Sequence, residues 1–402
     1  METFERISAK MSKFRPSLTL ALKRLAEERR RQKLPVYDFG LGETKGELDP
    51  SIRAAGERAF HEQHTMYSDP AGMPELRQAV LKWLGQENAY GIDNVIISSG
   101  AKQSLFNTFL AVCNPADCVL FDAAPWVSYQ PLATAAYAFP VQVIPRERHE
   151  QDLKIVPEDL ERNLRMRPHA KLFLLNNPVN PTAQLYDQHE VNALLDVCIK
   201  HRIYFVYDRL YWRLVFDGRK FPEPCIDDRT RPWLIQIDGM SKNFRRTGGL
   251  RIGWAIAPDD TAKAMVNLQS HYTSGPATPT QVAAITAISQ PYDQGLHDEL
   301  QALRDLIQKE SEGMPHTRVW PTPATFYSFW DVRACLGKRT PDGKTISSSD
   351  DVSEYLCTSS GVITASGTGF MQDGYLRLSF ATPREDIVQG MAAAKEALGK
   401  LR

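Results

Sequence analysis

The stretch KLFLLNNPVNPT, residues 171–182, decides the fold. It contains a predicted strand, 171–175, whose continuous apolar run, 172–175, is followed at once by amide and proline residues. Such a run, bounded by turn residues, is typical of a strand in a parallel sheet that is covered on both faces. A second run of this kind, IYFVYD at 203–208, comes after a helical pattern at 189–201. Strand, helix and strand in this order predict a βαβ unit.

The same alternation extends in both directions from this unit and predicts one mostly parallel sheet of about seven strands, sandwiched by helices. The predicted strands are 95–98, 118–121, 141–144, 171–175, 203–207, 234–238 and 252–256. The predicted helices are 102–112, 189–201, 280–288, 292–312 and 384 to about 398. The fold class is therefore α/β.

Length and composition indicate two domains and, as a partner, a small molecule or another copy of the chain. The 402 residues are enough for a large domain, expected over 47–290, and a smaller C-terminal α+β domain, expected over 291–402. Residues 1–46 are expected to join the small domain. Lys+Arg and Asp+Glu both number 48, which gives no global attraction for nucleic acid or an anionic membrane.

Cellular location is predicted from the cysteines and the apolar pattern. No run of eighteen apolar residues is present, and METFERISAKMSKFRP lacks the apolar core of a secretory signal. The six cysteines, at 113, 118, 198, 225, 335 and 357, form no C-x-x-C pair. We therefore expect a cytoplasmic protein with reduced thiols and with neither a disulfide framework nor a metal site.

Polar residues follow four of the predicted strands, where an open α/β sheet binds its ligand. The backbone N–H groups of Ala101 and Lys102 open a helix and would point at an anion such as phosphate. Lys242, on a desolvated strand-end loop, could attack a carbonyl and form a Schiff base. Asp208 ends a buried strand and needs a cation, for which a protonated pyridine nitrogen is suitable. Phosphate, aldehyde and pyridinium together describe pyridoxal 5'-phosphate.

At this point the sequence resembles the fold-type-I, class I/II PLP-dependent aminotransferases, and within them the bacterial aspartate/prephenate aminotransferase branch. The segments that carry the resemblance are PVYDFGLGE (35–43), TMYSDPAGMPELRQAV (65–80), SSGAKQSLFN (98–107), APWVSY (124–129), NNPVNPT (176–182), YDRLY (207–211), SKNFRRTGGLRIGW (241–254), PATFY (323–327) and GYLRLSFA (374–381). The resemblance implies a homodimer that uses amino-acid and 2-oxo-acid substrates.

The resemblance also implies a role for each matching residue. Lys242 is similar to the catalytic lysine that carries the cofactor as a Schiff base and moves the substrate's α-proton. Asp208 would pair with the pyridine nitrogen, and Trp126 would stack on the ring. The other implied cofactor contacts are Asn180 and Tyr211 on the phenolic oxygen, and Ala101, Lys102, Ser241, Arg251 and the neighbouring subunit's Tyr67 on the phosphate.

Three residues are implied on the substrate side. Arg377 would clamp the α-carboxylate with two hydrogen bonds, assisted by the backbone of Gly42 and the amide of Asn180. Some positions depart from the family pattern. Ala183 and Arg209 stand where Gly and Glu are usual, and one extra residue separates Lys242 from Arg251. The charged residues Lys45, Arg209, Arg245 and Arg246 are either readers of an acidic substrate group or solvated charges.

Three functions therefore remain. The first is a PLP-dependent aminotransferase that moves the α-amino group of an amino acid to a 2-oxo acid. The alternative keeps the cofactor but performs elimination, cyclisation or oxidation in specialised amino-acid metabolism, as the altered substrate-side residues would allow. The third is a ligand-sensing module on the same fold, and the retained lysine argues against it.

Overall fold

A computed structural model describes residues 18–146 and 153–402, together with residues 7, 8, 11 and 14. Its helices are α1 (Leu18–Arg31), α2 (Pro50–His61), α3 (Pro74–Leu84), α4 (Ala101–Val112), α5 (Tyr129–Ala135), α6 (Pro157–Arg165), α7 (Gln188–Lys200), α8 (Met240–Asn243), α9 (Asp259–Tyr272), α10 (Thr278–Ile288), α11 (Gln294–Glu310), α12 (Ser349–Ser360) and α13 (Arg384–Gly399). Among these helices, none is long and apolar enough to cross a bilayer.

The strands form three sheets in the described part of the chain. They are β1 (Tyr37–Asp38), β2 (Val95–Ser98), β3 (Cys118–Phe121), β4 (Phe139–Gln142), β5 (Ala170–Asn176), β6 (Tyr204–Asp208), β7 (Leu234–Gly239), β8 (Gly253–Ile256), β9 (Arg318–Val319), β10 (Tyr327–Asp331), β11 (Val362–Ile363), β12 (Ala365–Ser366) and β13 (Tyr375–Ser379).

The largest sheet has seven strands in the order β2-β8-β7-β6-β5-β3-β4. Strands β4, β3, β5, β6 and β7 are parallel, and β8 runs antiparallel to both β7 and β2. This confirms the prediction of a mostly parallel seven-stranded sheet. The strand predicted at 141–144 is wrong by two residues, because β4 begins at Phe139 and includes Pro140. A proline is tolerated there because β4 lies at the edge of the sheet.

Side chains of the central strands alternate between two apolar clusters, as the period of two requires. Leu172 and Leu174 of β5 pack with α4 and α9 on one face. Phe173 and Leu175 pack with α6 and α7 on the other. Both faces are therefore covered, which explains the uninterrupted apolar run of this strand.

A smaller four-stranded sheet, in the order β12-β13-β10-β9, lies near the carboxyl terminus. In it, Arg377 of β13 lies opposite Phe329 of β10 and Ala365 of β12. Strand β1 pairs in parallel with β11, and α1 contacts α12, so the segment before residue 46 packs against the carboxyl-terminal elements. Phe39 joins the same apolar cluster as α11, α13 and the strands β10 and β13.

The register of the large sheet brings polar residues of different strands together. Asn176 at the end of β5 lies opposite Asp208 at the end of β6, and Asp208 lies opposite Ile237 of β7. The turn after β7 carries Ser241 and Lys242. The carboxyl ends of β5, β6 and β7 therefore lie at the same edge of the sheet.

Candidate active site

A cavity of about 2070 Å³ lies at this edge, between the carboxyl ends of the large sheet and the small sheet. Eleven of the twelve residues predicted to form the site line it, namely Gly42, Ala101, Lys102, Trp126, Asn180, Asp208, Tyr211, Ser241, Lys242, Arg251 and Arg377. The exception is Tyr67, whose side chain is 92% exposed on the outside of the chain. The structure therefore brings together residues that lie as far apart in sequence as Gly42 and Arg377.

Asp208 is a buried acid with both oxygens hydrogen-bonded. Its Oδ2 accepts a hydrogen bond of 2.6 Å from the Tyr129 hydroxyl, and its Oδ1 accepts one of 3.2 Å from the Leu210 N–H. Burial raises the pKa of this carboxyl to about 6, against the opposing effect of these two hydrogen bonds. Sequence reasoning missed Tyr129, although it lies three residues after Trp126 in the segment APWVSY.

Lys242 lies in the short helix α8, directly after β7. Burial lowers the pKa of its ammonium to about 8, while the nearby Glu43 carboxylate acts in the opposite direction. Its Nζ donates to the Gly42 carbonyl, and it lies 5.8 Å from the centre of the Phe326 ring. A lysine with this pKa is partly neutral near pH 7, as a nucleophilic amine must be.

Arg377 is held in place by a network of polar groups. The residue is 7% exposed, and its guanidinium donates 3.0 Å hydrogen bonds to Asn180 Oδ1 and to the Gly40 carbonyl. The Asn180 amide donates to the Tyr211 hydroxyl at 3.1 Å, and that hydroxyl lies 3.0 Å from the Tyr327 hydroxyl. Arg377 also lies over the Tyr327 ring, 4.2 Å from its centre. Tyr327 was not predicted, although the segment PATFY contains it.

Backbone N–H groups and the Arg251 guanidinium lie close together where α4 begins. Gly100 has φ +84, and no side chain caps the first N–H groups of the helix. A Cβ on Gly100 would come 2.3 Å from the Arg251 guanidinium, and one on Gly253 would come 2.1 Å from the Ala101 nitrogen. Only glycine fits at these two positions. Free N–H groups beside an arginine are suited to phosphate.

Trp126 and Lys102 form one wall of the cavity. Trp126 is half-buried and meets the Tyr129 ring edge-on, with the ring centres 5.5 Å apart. The Lys102 ammonium lies 4.9 Å from the centre of the Trp126 ring, and burial lowers its pKa, assisted by the positive charge of Arg251. The indole therefore offers a flat face beside a cation.

The charges suggested as readers of an acidic substrate have other partners. Arg209 is buried against Glu223, and Arg245 pairs with Asp293 at 3.1 Å and with Glu299 at 2.6 Å. The remaining two charges donate elsewhere, Arg246 to the Gly46 carbonyl and Lys45 to the Thr382 hydroxyl. None of the four lines the cavity, and their partners give no support to the hypothesis that they contact the substrate.

The other departures from the family pattern have local explanations. Ala183 has φ +60, a left-handed conformation that glycine adopts more easily. A 3₁₀ turn over Gly248–Leu250 lies directly before Arg251, in the segment that is one residue longer. Gly248 packs against Glu43, whose carboxylate a Cβ would approach to 2.7 Å. Ala183 lies in the loop between β5 and α7, and Gly248 lines the cavity.

The described residues contain no group of three or more His, Cys, Asp or Glu side chains that could hold a metal ion. All six cysteines are free thiols. The cavity is lined by the amines of Lys102 and Lys242, the buried acid Asp208, phenols, amides and arginines.

Comparisons with known proteins agree with this chemistry. The family model for aminotransferase class I and II matches residues 35–393. The aspartate/prephenate aminotransferase of Cereibacter sphaeroides is 32% identical over 400 residues, covering 96% of this chain and 97% of that protein. The probable aspartate/prephenate aminotransferase of Rickettsia bellii is 30% identical over 405 residues, covering 98% of this chain and 99% of that protein.

Solved structures are similar over the whole chain. The aspartate aminotransferase of Rhizobium meliloti has a TM-score of 0.92 at 28% identity and covers all of both chains. The aspartate aminotransferase of Thermus thermophilus with maleate has a TM-score of 0.88 at 27% identity, covering 98% of this chain and 100% of that one.

The chain belongs to the class I and II aminotransferase family and has the fold-type-I structure. It is a PLP-dependent aminotransferase, which transfers the amino group of an amino acid to a 2-oxo acid. The names of its relatives support amino transfer and give no support to elimination, cyclisation or oxidation.

The cavity fits the cofactor. The glycine-lined start of α4 beside Arg251 suits a phosphate, the buried Asp208 carboxylate suits a pyridinium, and the amine of Lys242 suits an aldehyde.

Proposed function

We propose that Lys242 is the catalytic residue of this aminotransferase, on the observation that its amine shares one cavity with Asp208 and Arg377. When bound, PLP supplies an electron sink for the electrons released at the substrate's α-carbon. Lys242 would hold the cofactor through its aldehyde carbon, with loss of water, until the substrate's amino group replaces the lysine there. The freed Nζ would then take the α-proton and return it. The lowered pKa supports this role, because Nζ can both release and accept a proton near neutral pH.

The remaining residues would bind and orient. Asp208 would hold the protonated ring nitrogen, and its orientation is supported by Tyr129. Asn180 and Tyr211, already hydrogen-bonded to each other, would hold the phenolic oxygen. Trp126 would stack on the ring. The phosphate would be held by Ala101, Lys102, Ser241 and Arg251.

Arg377 would bind the α-carboxylate of every substrate. A guanidinium presents two parallel N–H donors to a carboxylate, and the amide of Asn180 and the backbone of Gly42 would add to this grip. The hydrogen bond from Arg377 to Asn180 supports the arrangement, because it fixes the fork before substrate arrives. The binding of α-carboxylates and of the cofactor would then share Asn180.

For the substrate side chain we infer an acidic or carboxylate-bearing group. Relatives are named aspartate/prephenate aminotransferase, and the Thermus thermophilus enzyme was solved with maleate, a dicarboxylate. Lys102 supports the inference, because its ammonium lines the cavity beside the Trp126 ring while Arg245 is paired elsewhere. Lys102 would thus contact the phosphate through its backbone and the substrate through its side chain.

We further propose a cytoplasmic homodimer with shared active sites. Tyr67 is 92% exposed and its neighbour Met66 is 83% exposed. Two adjacent exposed apolar residues support the proposal that a second copy of this chain buries the surface. Tyr67 of the partner subunit would then reach the phosphate. Each chain would have the large domain 47–290 and the small domain 291–402, with residues 1–46 joined to the latter, as the β1–β11 pairing supports. The free thiols are in keeping with a reducing compartment.

The test is an amino-acid panel supplied with 2-oxoglutarate, with products followed by mass, for the wild type and two variants. Lys102→Ala should lower kcat/KM for aspartate at least tenfold relative to that for a neutral amino acid such as leucine, because one charge-assisted contact is lost. Arg245→Gln is the matched control and should leave this ratio unchanged. An unchanged ratio in Lys102→Ala would contradict the acidic-substrate inference, and absence of amino transfer from every amino acid would contradict the proposed function.

A further inference from the structure

A buried ion pair lies beside the strand ends that carry the site. Arg209 follows Asp208 at the end of β6, and its side chain is 1% exposed. Its guanidinium donates hydrogen bonds of 2.5 and 2.6 Å to the Glu223 carboxylate. Its Nε lies 3.7 Å from Oδ2 of Asp238, whose side chain is equally buried. Neither of these two facing atoms has a hydrogen-bond partner in the described structure.

The other oxygen of Asp238 reaches the turn that carries Lys242. Its Oδ1 accepts a hydrogen bond of 2.7 Å from the Gly239 N–H and one of 3.0 Å from the Asn243 amide. The same amide donates to the Gly239 carbonyl at 2.8 Å. These bonds join the two ends of the segment 239–243, with Lys242 between them.

From this geometry we propose that Arg209 and Asp238 form a positioning pair, which holds the Lys242 turn against the end of β6 where Asp208 lies. Neither residue lines the cavity, so the pair acts through Lys242 and Asp208 and rests on the function proposed for them. It also gives a reason for arginine at a position where the resembling family usually has glutamate. A glutamate there would face two carboxylates, those of Glu223 and Asp238.

The charges around Asp238 make the pair sensitive to loss of either member. Arg209 and Arg213 face it as cations, and Asp208 faces it as a carboxylate. Burial raises the pKa of Asp238 to about 7, and Arg209 acts against that rise. A buried charge that loses its partner is strongly destabilising, whereas removal of both partners can be close to neutral.

The experiment titrates the visible absorption of the PLP-loaded protein against pH in Arg209→Met, Asp238→Asn and the double variant. Loss of the Arg209 cation should raise the pH midpoint of the absorption change by roughly half a unit, and loss of the Asp238 anion should lower it by a similar amount. The double variant should return towards the wild-type midpoint. We also compare the dissociation constants of PLP. The effect of the double variant should differ by at least about fivefold from the product of the two single effects.

A matched control uses the exposed pair of Arg229 and Asp196, whose charged atoms lie 2.6 Å apart. Arg229→Met should leave the midpoint unchanged. Shifts of the two single variants in the same direction, or independent effects of the two substitutions on the dissociation constant of PLP, would overturn the proposal. If Arg209→Met does not fold, the Asp238→Asn variant is sufficient as a test, because an unchanged or raised midpoint in that variant contradicts the proposed positioning pair. The titration needs no turnover, so an inactive wild type counts against the proposed function and not against the pair.

Discussion

The Tyr129 hydroxyl donates a 2.6 Å hydrogen bond to Oδ2 of Asp208, across 79 residues of sequence. The Leu210 N–H holds the second oxygen, so the direction of this buried carboxylate is fixed from both sides. A buried carboxylate whose oxygens are held in a fixed orientation can stabilise a positive charge at one defined position. The relationship makes Tyr129 a positioning residue for Asp208.

Asp208→Asn should bind PLP more weakly and slow exchange of the substrate's α-proton. An amide cannot stabilise a ring cation as a carboxylate does, and the expected loss is about 4 kcal/mol, or roughly a thousandfold in rate. Proton exchange with a deuterated solvent, followed by NMR on the PLP-loaded variant, measures this. Tyr129→Phe is the companion variant, with a smaller expected loss of about tenfold from one hydrogen bond to a charged group. Near-normal exchange in loaded Asp208→Asn would refute the role.

Arg377→Lys should lower kcat/KM for all amino acids by a similar factor. An ammonium replaces a two-donor fork by a point charge, and the expected cost is about 2 to 3 kcal/mol in transition-state binding. The ratio between acidic and neutral substrates should stay constant, because the fork contacts only the group that all of them share. Steady-state kinetics on aspartate and leucine provide the check, and a loss confined to one of the two would argue for a side-chain contact instead.

The attachment of PLP to the cofactor-free enzyme should depend on pH through Lys242. Burial lowers the pKa of this lysine to about 8, so the neutral amine becomes the main form above that pH. The attachment rate should therefore rise about tenfold from pH 7 to pH 9 and then level off. Stopped-flow absorbance measures the rate. A rate that is still rising steeply beyond pH 10 would mean an unshifted lysine.

Mixed dimers test the shared active site. Lys242→Ala and Tyr67→Ala should each be inactive or nearly so, but one site of a mixed dimer would contain wild-type residues from both chains. Activity should therefore return on mixing, to at most about half per dimer. Subunit exchange is confirmed by tagging one partner and purifying the mixed species. Proven exchange without any recovery would exclude a contribution of Tyr67 to the other subunit's site.

Much of the fold and site could be predicted, because local signals coincide with strand ends. The apolar run of β5, the helix opening at Ala101 and the acid that ends β6 each mark a carboxyl end of the sheet, and the sheet brings such ends together. The start of β4 was missed because a proline in the sequence usually indicates the end of a strand. Pro140 lies within β4, and an edge strand tolerates proline.

Partnerships between distant segments could not be predicted in this way. Tyr211 and Tyr327 are 116 residues apart, and their hydroxyls lie 3.0 Å from each other only in the folded chain. The charge of Arg245 was visible in the sequence, but its carboxylate partner Glu299, 54 residues away on α11, was not. From the sequence alone, the cations that pair within the chain could therefore not be told from those that line the cavity.

The central claim is that Lys242 carries the cofactor, and chemical trapping tests it most directly. Reduction of the PLP-loaded wild type with borohydride, followed by digestion and mass spectrometry, should place the cofactor's added mass on the peptide that contains Lys242. The Lys242→Ala protein should show neither that adduct nor amino transfer, while an intact far-UV circular dichroism spectrum serves as the folding control. A trapped adduct on Lys102 or another lysine of the wild type, or turnover by Lys242→Ala, would contradict the account.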